Sequence, residues 1–215
     1  MRVLVGSATD KIVMLVLAVG LAATVVETQS EIRWRRYTGM LAPAHVELLI
    51  AFTNSVDHDE GTDDLTTPSE LTTWLRAHDL LTGRVTSTEE HLALALRLRD
   101  GLHDAMVGNH EGTQNLQRLV EAASELPLVM GGGTHPELQP MRDGPLGALS
   151  RLLVAIHSSV ADDTWRRLKI CSSDECAWAF FDSTKNRSRT YCEWGCGNRI
   201  KTRNYRARIR AARAS

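Results

Sequence analysis

Residues 171–199 read CSSDECAWAFFDSTKNRSRTYCEWGCGNR and contain all four cysteines of the 215-residue chain. The cysteines form two close pairs, Cys171-x4-Cys176 and Cys192-x3-Cys196, separated by fifteen residues. Each pair can occupy one tight turn, so the spacing predicts four thiolates around one tetrahedral zinc ion. A segment this short buries little core and needs such a crosslink. Two structural disulfides, or four unrelated thiols, are the alternatives.

A run of arginines follows the last cysteine. Five of them recur at spacings of four and three residues and therefore share one stripe of a helix: Arg199, Arg203, Arg206, Arg210 and Arg213. A stripe of smaller residues lies beside it, formed by Ile200, Asn204, Ala207 and Ala211. We expect the small stripe to lie on the cysteine segment and the arginine stripe to face a polyanion, because a guanidinium binds phosphate or a guanine edge in bidentate fashion. A solvated tail is the alternative.

The net charge of −1 conceals two oppositely charged parts. Residues 185–215 carry ten Lys or Arg and one acid, Glu193, for a net +9, which leaves 15 basic and 25 acidic residues, a net −10, in the rest of the chain. Such a distribution is typical of a polyanion-binding end on an acidic body. Cysteines used only as a metal site indicate a reducing compartment, so we predict a cytoplasmic protein.

The residues Cys196-Gly197-Asn198-Arg199 spell the motif of the CGNR zinc-finger family of bacterial proteins described as stress-induced transcription regulators. The segment FDSTKNRSR at 181–189 and the basic residues at 201–208 also resemble this family. The resemblance implies a zinc-bound DNA-reading module behind a helical, ABATE-like N-terminal domain. In that domain, residues 51–55 (AFTNS) stand where the family has a signature of which Phe52 and Asn54 match.

The paired spacing and the resemblance together predict two sets of site residues. The metal ligands are Cys171, Cys176, Cys192 and Cys196. The nucleic-acid-binding residues are Arg187, Arg189, Asn198, Arg199, Lys201, Arg203, Arg206, Arg208 and Arg210. Arg199 and Arg203 lie on the first turns of the basic helix, where base edges come closest.

Hydrophobic periodicity predicts a mainly α fold for the rest of the chain. Capping signals open one helix at residues 67–70 (TPSE) and a longer one at residues 87–90 (STEE), which Gly108-Asn109 should end. A third helix should run from about Thr113 with Leu116, Leu119, Val120, Ala123 and Leu126 on its buried face. The acidic residues 57–64 are interpreted as a solvated turn that could dock the arginine stripe.

Glycines and prolines in residues 128–141 predict a short β-hairpin, after which Pro145 starts a fourth helix. That helix should bury a stripe of Leu146, Leu149, Leu152, Leu153, Ile156 and Val160. Alternation around Trp178 and Phe180 predicts a short strand, and the cysteine segment as a whole should form a small treble-clef-like module that ends in the basic helix.

The first forty residues fit this pattern least. Residues 12–26 are an almost unbroken apolar run, which is short for a membrane span. A secretory signal, a membrane anchor and a buried helix or strand are alternatives to our preferred interpretation, that translation starts at Met40.

These inferences predict three segments: residues 1–40 of uncertain status, a helical regulatory domain at 41–168, and a zinc finger with a basic helix at 169–215. We expect a zinc-dependent, DNA-binding transcription regulator without catalytic residues, which binds double-stranded DNA and whose helical domain either senses a small-molecule effector or forms a homodimer. An RNA-binding or ribosome-associated protein, and an enzyme or ligand-binding protein with a structural zinc, are the alternatives.

Overall fold

A computed structural model describes residues 42–111 and 115–214. Helices dominate this part of the chain, and the predicted mainly α fold with short hairpins is confirmed. The apolar run 12–26 and the predicted start at Met40 lie outside the described residues. Within those ranges, no helix has the length and apolar character needed to cross a membrane.

Six α-helices, three two-stranded antiparallel sheets and one 3-10 helix make up the described chain. In order they are α1 (Ala44–Thr53), β1 (Val56–Asp57), β2 (Thr62–Asp63), α2 (Pro68–Ala77), α3 (Glu89–Glu111), α4 (Gln117–Ala123), β3 (Leu128–Gly131), β4 (Glu137–Pro140), α5 (Gly144–Ala161), the 3-10 helix (Trp165–Arg167), β5 (Leu168–Ile170), β6 (Ala179–Phe181) and α6 (Cys196–Ala214). The strands pair in sequence order as β1 with β2, β3 with β4, and β5 with β6.

The main core lies where α1, α3 and α5 meet. Phe52 from α1, Leu98 and Leu102 from α3, and Leu149 and Leu152 from α5 are fully buried there. Their removal from water is the main favourable contribution to the stability of this domain.

The predicted capping box of α2 is present. Thr67 accepts a hydrogen bond from the Glu70 backbone N–H, and the Glu70 carboxylate accepts one from the Thr67 backbone N–H. Helix α3 begins at Glu89, after Thr88, one residue later than a cap at Ser87 would place it. The backbone N–H of Thr88 donates to His91 Nδ1 at 3.0 Å, while Ser87 is drawn to α2 because its N–H donates to Thr72 Oγ1.

Helix α3 does not end at Gly108-Asn109 as the sequence predicted, but continues to Glu111. The Asn109 side chain explains the difference, because its Nδ2 donates to the carbonyl oxygens of Trp165 at 2.8 Å and Leu168 at 2.9 Å. These tertiary hydrogen bonds hold the residue in a helical turn and override its weak helix propensity.

The packing of α4 on α3 depends on Gly101. A Cβ atom at this position would lie 2.5 Å from the backbone nitrogen of Leu119, so the two helix backbones touch there. This approach turns Leu119 and Ala122 inward. The predicted burial of Val120 and Leu116 is therefore wrong, since both are exposed.

The predicted hairpin at residues 128–141 is present, with Val129 opposite Gln139 and Met130 opposite Leu138. Helix α5 then begins at Gly144, and Pro145 occupies its first turn as predicted. Val160, predicted to be buried, lies exposed at the far end of α5, beyond the core.

The β5–β6 hairpin belongs to two clusters of buried side chains. Leu168, Ile170 and Ala179 join the helical core, whereas Trp178 and Phe180 pack around the cysteines. Because successive side chains of a strand point to opposite faces, one hairpin can pack against the helical core on one face and against the cysteine cluster on the other.

Asn54, just after α1, fixes this hairpin to the helical domain. Its Nδ2 donates to the Ala179 carbonyl oxygen at 2.9 Å, and its Oδ1 accepts from the Ala179 N–H at 2.7 Å. The side-chain amide thus satisfies both backbone polar groups of one buried residue at the strand edge. This is the structural role of the asparagine that matches the family signature.

We expect Gly101→Ala to destabilise the protein. In a helix, alanine is more favourable than glycine by up to about 1 kcal/mol. The added methyl group, however, would clash with the Leu119 backbone at a cost of about 1–3 kcal/mol, because a backbone segment cannot move away as a flexible side chain can. Urea unfolding would measure the loss. Gly133→Ala, where a Cβ meets nothing within 4 Å, is the control, and equal stability of the two variants would contradict the assigned contact.

We expect Asn54→Ala to lower the free energy of unfolding by at least about 2 kcal/mol, because the N–H and C=O of Ala179 are left buried and unpaired. Chemical denaturation would measure the change, with Asn204→Ala on the exposed face of α6 as a matched control. A loss no greater than that of the control would show that Asn54 does not hold the hairpin.

Candidate metal centre and basic helix

The four cysteine sulfurs converge on one point. All four residues are buried, and their Sγ atoms lie within 4.8 Å of one another. The distances from Cys192 Sγ to the sulfurs of Cys176 and Cys196 are both 3.6 Å. A disulfide would bring two sulfurs to about 2.05 Å, and all four thiols are free. Tetrahedral zinc with bonds of about 2.3 Å separates its sulfur ligands by roughly 3.8 Å, so the spacing fits one zinc ion.

The first cysteine pair lies in the turn of the β5–β6 hairpin. Cys171 follows β5 directly and donates its N–H to the Trp178 carbonyl oxygen at 2.8 Å. The N–H of Cys176 donates to the Ser173 carbonyl oxygen at 2.9 Å, which closes the turn, and Ala177 leaves it with a positive φ of 48°. The hairpin therefore fixes both thiols on the same side.

The second pair lies at the start of α6. Gly195 adopts a positive φ of 79°, which glycine tolerates without a steric penalty. Its carbonyl oxygen accepts hydrogen bonds from the N–H groups of Asn198 and Arg199. Cys196 is the first residue of the helix, so its sulfur lies at the positive end of the helix dipole.

Thiols this close cannot ionise independently. Hydrogen bonds from Cys176 and Cys192 lower the pKa of Cys171 to about 2, and donating to Cys171 raises the pKa of Cys176 to about 12. A bound divalent cation would supply the charge that allows all four sulfurs to be thiolates.

A buried ion pair holds the loop between the two cysteine pairs. Lys169 Nζ lies 2.8 Å from Asp182 Oδ2 and also donates to the carbonyl oxygens of Arg187 and Arg189. Burial opposes ionisation of Asp182, but hydrogen bonds from Lys169, Thr184 and Arg189 outweigh it and lower the pKa of Asp182 to about 2. Neither Lys169 nor Asp182 was among the predicted site residues. The available signal was a lysine inside the short apolar strand Leu168–Ile170.

Two predicted nucleic-acid-binding residues of this loop are ion-paired within the chain. The Arg187 guanidinium binds both carboxylate oxygens of Asp163, and Arg187 itself has a positive φ of 50°. Arg189 Nη1 lies 2.7 Å from Glu193 Oε1. Both guanidinium groups are thus largely neutralised by acids of this chain.

The other predicted nucleic-acid-binding residues all lie on α6: Asn198, Arg199, Lys201, Arg203, Arg206, Arg208 and Arg210. Each of them is exposed. The prediction that the small stripe lies on the zinc module is wrong beyond Ile200, because Asn204, Ala207 and Ala211 are exposed as well. The module spans only the first turns of α6, so the rest of the helix projects into solvent on every face.

Arg199 differs from the arginines that follow it. Its Nη2 lies 3.0 Å from Cys196 Sγ. It also lines a small cavity of about 80 Å³ with Asp57, Asp59, Cys176, Trp178 and Trp194. Arg203, one turn later, has Nη1 3.9 Å from Glu175 Oε1.

The acidic segment predicted as a solvated turn forms the β1–β2 hairpin. Arg99 from α3 holds its base, with Nη1 and Nη2 each 2.7 Å from an oxygen of Asp63. Asp57 and Asp59 consequently face the metal centre and Arg199. Within the described residues, the hairpin thus lies beside the first arginine of the stripe.

A larger groove of about 800 Å³ lies on the helical domain, between α1, the end of α2, β4 and α5. Apolar residues and the polar side chains of His45, Glu47, His78, Asp79 and Arg151 line it. The groove presents both apolar and charged groups to solvent.

Two family profiles match the chain in succession. The ABATE family, described as "Putative stress-induced transcription regulator", matches residues 47–166, and the CGNR zinc finger matches residues 167–209. A search of the curated proteins finds no significant match. The ABATE profile spans more than half of the chain, and the four-cysteine cluster lies in the part matched by the zinc finger. The chain therefore belongs to the ABATE family and carries a CGNR zinc finger after the ABATE domain.

Proposed function

We propose that this protein is a zinc-dependent, DNA-binding transcription regulator. One observation carries the proposal: a buried cluster of four cysteine sulfurs lies at the start of an exposed helix whose charged residues are all basic. The metal would fix the direction of this helix, and the helix would contact DNA.

The donor set supports zinc as the metal. Four thiolates in a closed, buried cluster leave no open coordination position, which is the arrangement of a structural zinc site. Cys171 and Cys176 would bind from the hairpin and Cys192 and Cys196 from the start of α6. When bound, the ion would join these two elements and stabilise the module.

The exposure of α6 supports contact with a polyanion. From Lys201 to Arg213 the helix is exposed on every face, so it buries little surface on its own protein and leaves its basic side chains free to contact a partner. Nineteen residues extend about 28 Å, and the major groove of B-DNA admits one such helix. The acidic body repels DNA, which leaves the basic helix as the binding element.

The ion pairs divide the arginines into two groups. Arg187 and Arg189 are held by Asp163 and Glu193, so we assign them to the fold of the module. The arginines farther along α6, such as Arg206 and Arg208, have no acidic partner among the residues described. We assign these to phosphate contact.

An alternative partner is single-stranded or structured RNA. Tyr205 is 59% exposed among the arginines of α6, where it could stack on an unpaired base. Binding to randomised duplex DNA and to structured RNA at the same salt concentration discriminates between the two. A preference for duplex DNA supports the proposal, and a preference for RNA overturns it.

We expect one tightly held zinc ion per chain and its loss in Cys192→Ser. Structural zinc contributes on the order of 10 kcal/mol to small modules, and the β5–β6 hairpin shares its core with the helices, so this variant should also melt at a lower temperature. Metal analysis and thermal unfolding measure both effects. Ser172→Ala, an exposed change beside Cys171, is the control. Substoichiometric zinc in wild-type protein purified without chelators would contradict the proposal.

We expect the affinity for DNA to fall with salt, with a slope of log K against log salt near roughly −4 to −5 if about five phosphates are contacted. Arg206→Ala should reduce the magnitude of this slope by about one, because it removes one phosphate contact. Arg187→Ala is the matched control: it should leave the slope unchanged, because its guanidinium is neutralised by Asp163, while lowering stability. Equal slopes for Arg206→Ala and wild type would count against phosphate contact by α6.

A further inference from the structure

Arg199 belongs to the CGNR motif and to the basic stripe, yet its guanidinium is directed toward the cysteines. Nη2 donates to Cys196 Sγ at 3.0 Å, from one turn farther along the same helix. We propose that Arg199 is a positioning residue of the metal centre, which holds the Cys196 thiolate in its ligating orientation and does not contact DNA. This inference rests on the zinc site of the proposed function.

The charge of the centre explains why such a residue is needed. Four thiolates around one Zn²⁺ ion leave a net charge of −2 in a buried cluster, and burial makes uncompensated charge costly. A hydrogen bond from a charged donor to a charged acceptor is roughly twice as strong as one between neutral groups. The guanidinium of Arg199 and the positive end of the α6 dipole both act on Cys196. Together they offset part of the excess negative charge.

The acidic β1–β2 hairpin lies beside Arg199. Asp57 and Asp59 line the cavity that Arg199 also lines. A DNA phosphate approaching Arg199 would meet these carboxylates, whereas one approaching Arg206 would not. The guanidinium of Arg199 is therefore positioned to bind the Cys196 sulfur, and the carboxylates of Asp57 and Asp59 oppose the approach of a polyanion.

Competition with a chelator of known affinity tests the inference on the full-length protein. We expect Arg199→Ala to weaken zinc binding by about 10–100-fold, the usual effect of losing a hydrogen bond to a metal ligand. Arg199→Lys should recover part of the loss, because it keeps the charge without the planar fork. Arg206→Ala removes the same charge farther along the helix and should bind zinc as wild type does.

Two further measurements separate a positioning role from a general loss of fold. In cobalt-loaded protein, Arg199→Ala should shift the sulfur-to-cobalt charge-transfer absorption, which Arg206→Ala should leave unchanged. With zinc at saturation, the salt slope of DNA binding should equal that of wild type for Arg199→Ala.

Three outcomes would overturn the inference. If the wild-type protein holds zinc tightly and Arg199→Ala binds it with the same affinity, Arg199 has no positioning role, and the proposed function is unaffected. A salt slope reduced by about one in Arg199→Ala at saturating zinc assigns the residue to DNA instead. A wild-type protein that holds no zinc removes the proposed metal centre and this inference together.

Discussion

The pair of hydrogen bonds between the Asn54 amide and the backbone of Ala179 joins the two halves of the structure. It fixes the β5–β6 hairpin at the edge of the helical core, where Leu168, Ile170 and Ala179 are buried among side chains from the helices. The first two cysteines lie in the turn of that same hairpin. The position of the metal centre is therefore set by the helical domain, and a change at Asn54 would act on both.

The buried pair of Lys169 and Asp182 has the corresponding role inside the zinc module. Removing either partner would leave an uncompensated charge in a buried site, and the resulting destabilisation is much larger than the net stabilisation that the pair provides. Because Lys169 also binds the carbonyl oxygens of Arg187 and Arg189, it shapes the loop that carries these arginines. Their side chains are then held by Asp163 and Glu193. The guanidinium groups of Arg187 and Arg189 serve the fold, and the predicted nucleic-acid-binding residues that remain exposed lie on α6.

The metal centre is buried by the rest of the protein, whereas α6 is mostly exposed. The cysteines are buried within a shell that includes Trp178 and Phe180, whereas α6 is exposed from Lys201 onward. The buried cysteine cluster can therefore fix the direction of α6 while leaving the surface of the helix free to contact a partner. Arg199 stands at the boundary between the two, which is why its role differs from that of the arginines one and two turns later.

The sequence by itself determined the helical class, the capping box of α2, the hairpin at residues 128–141 and the convergence of four cysteines, because periodicity, local capping and paired spacing act over a few residues. Only the tertiary structure decided the continuation of α3 through Asn109, the exposed face of α4, the partner of Arg187 and the acidic surroundings of Arg199. Each of these depends on a group distant in the chain: the carbonyl oxygens of Trp165 and Leu168, the close approach at Gly101, the carboxylate of Asp163 and the acidic β1–β2 hairpin. The sequence shows which polar, charged and apolar groups are present, but the path of the folded backbone determines which of them come into contact.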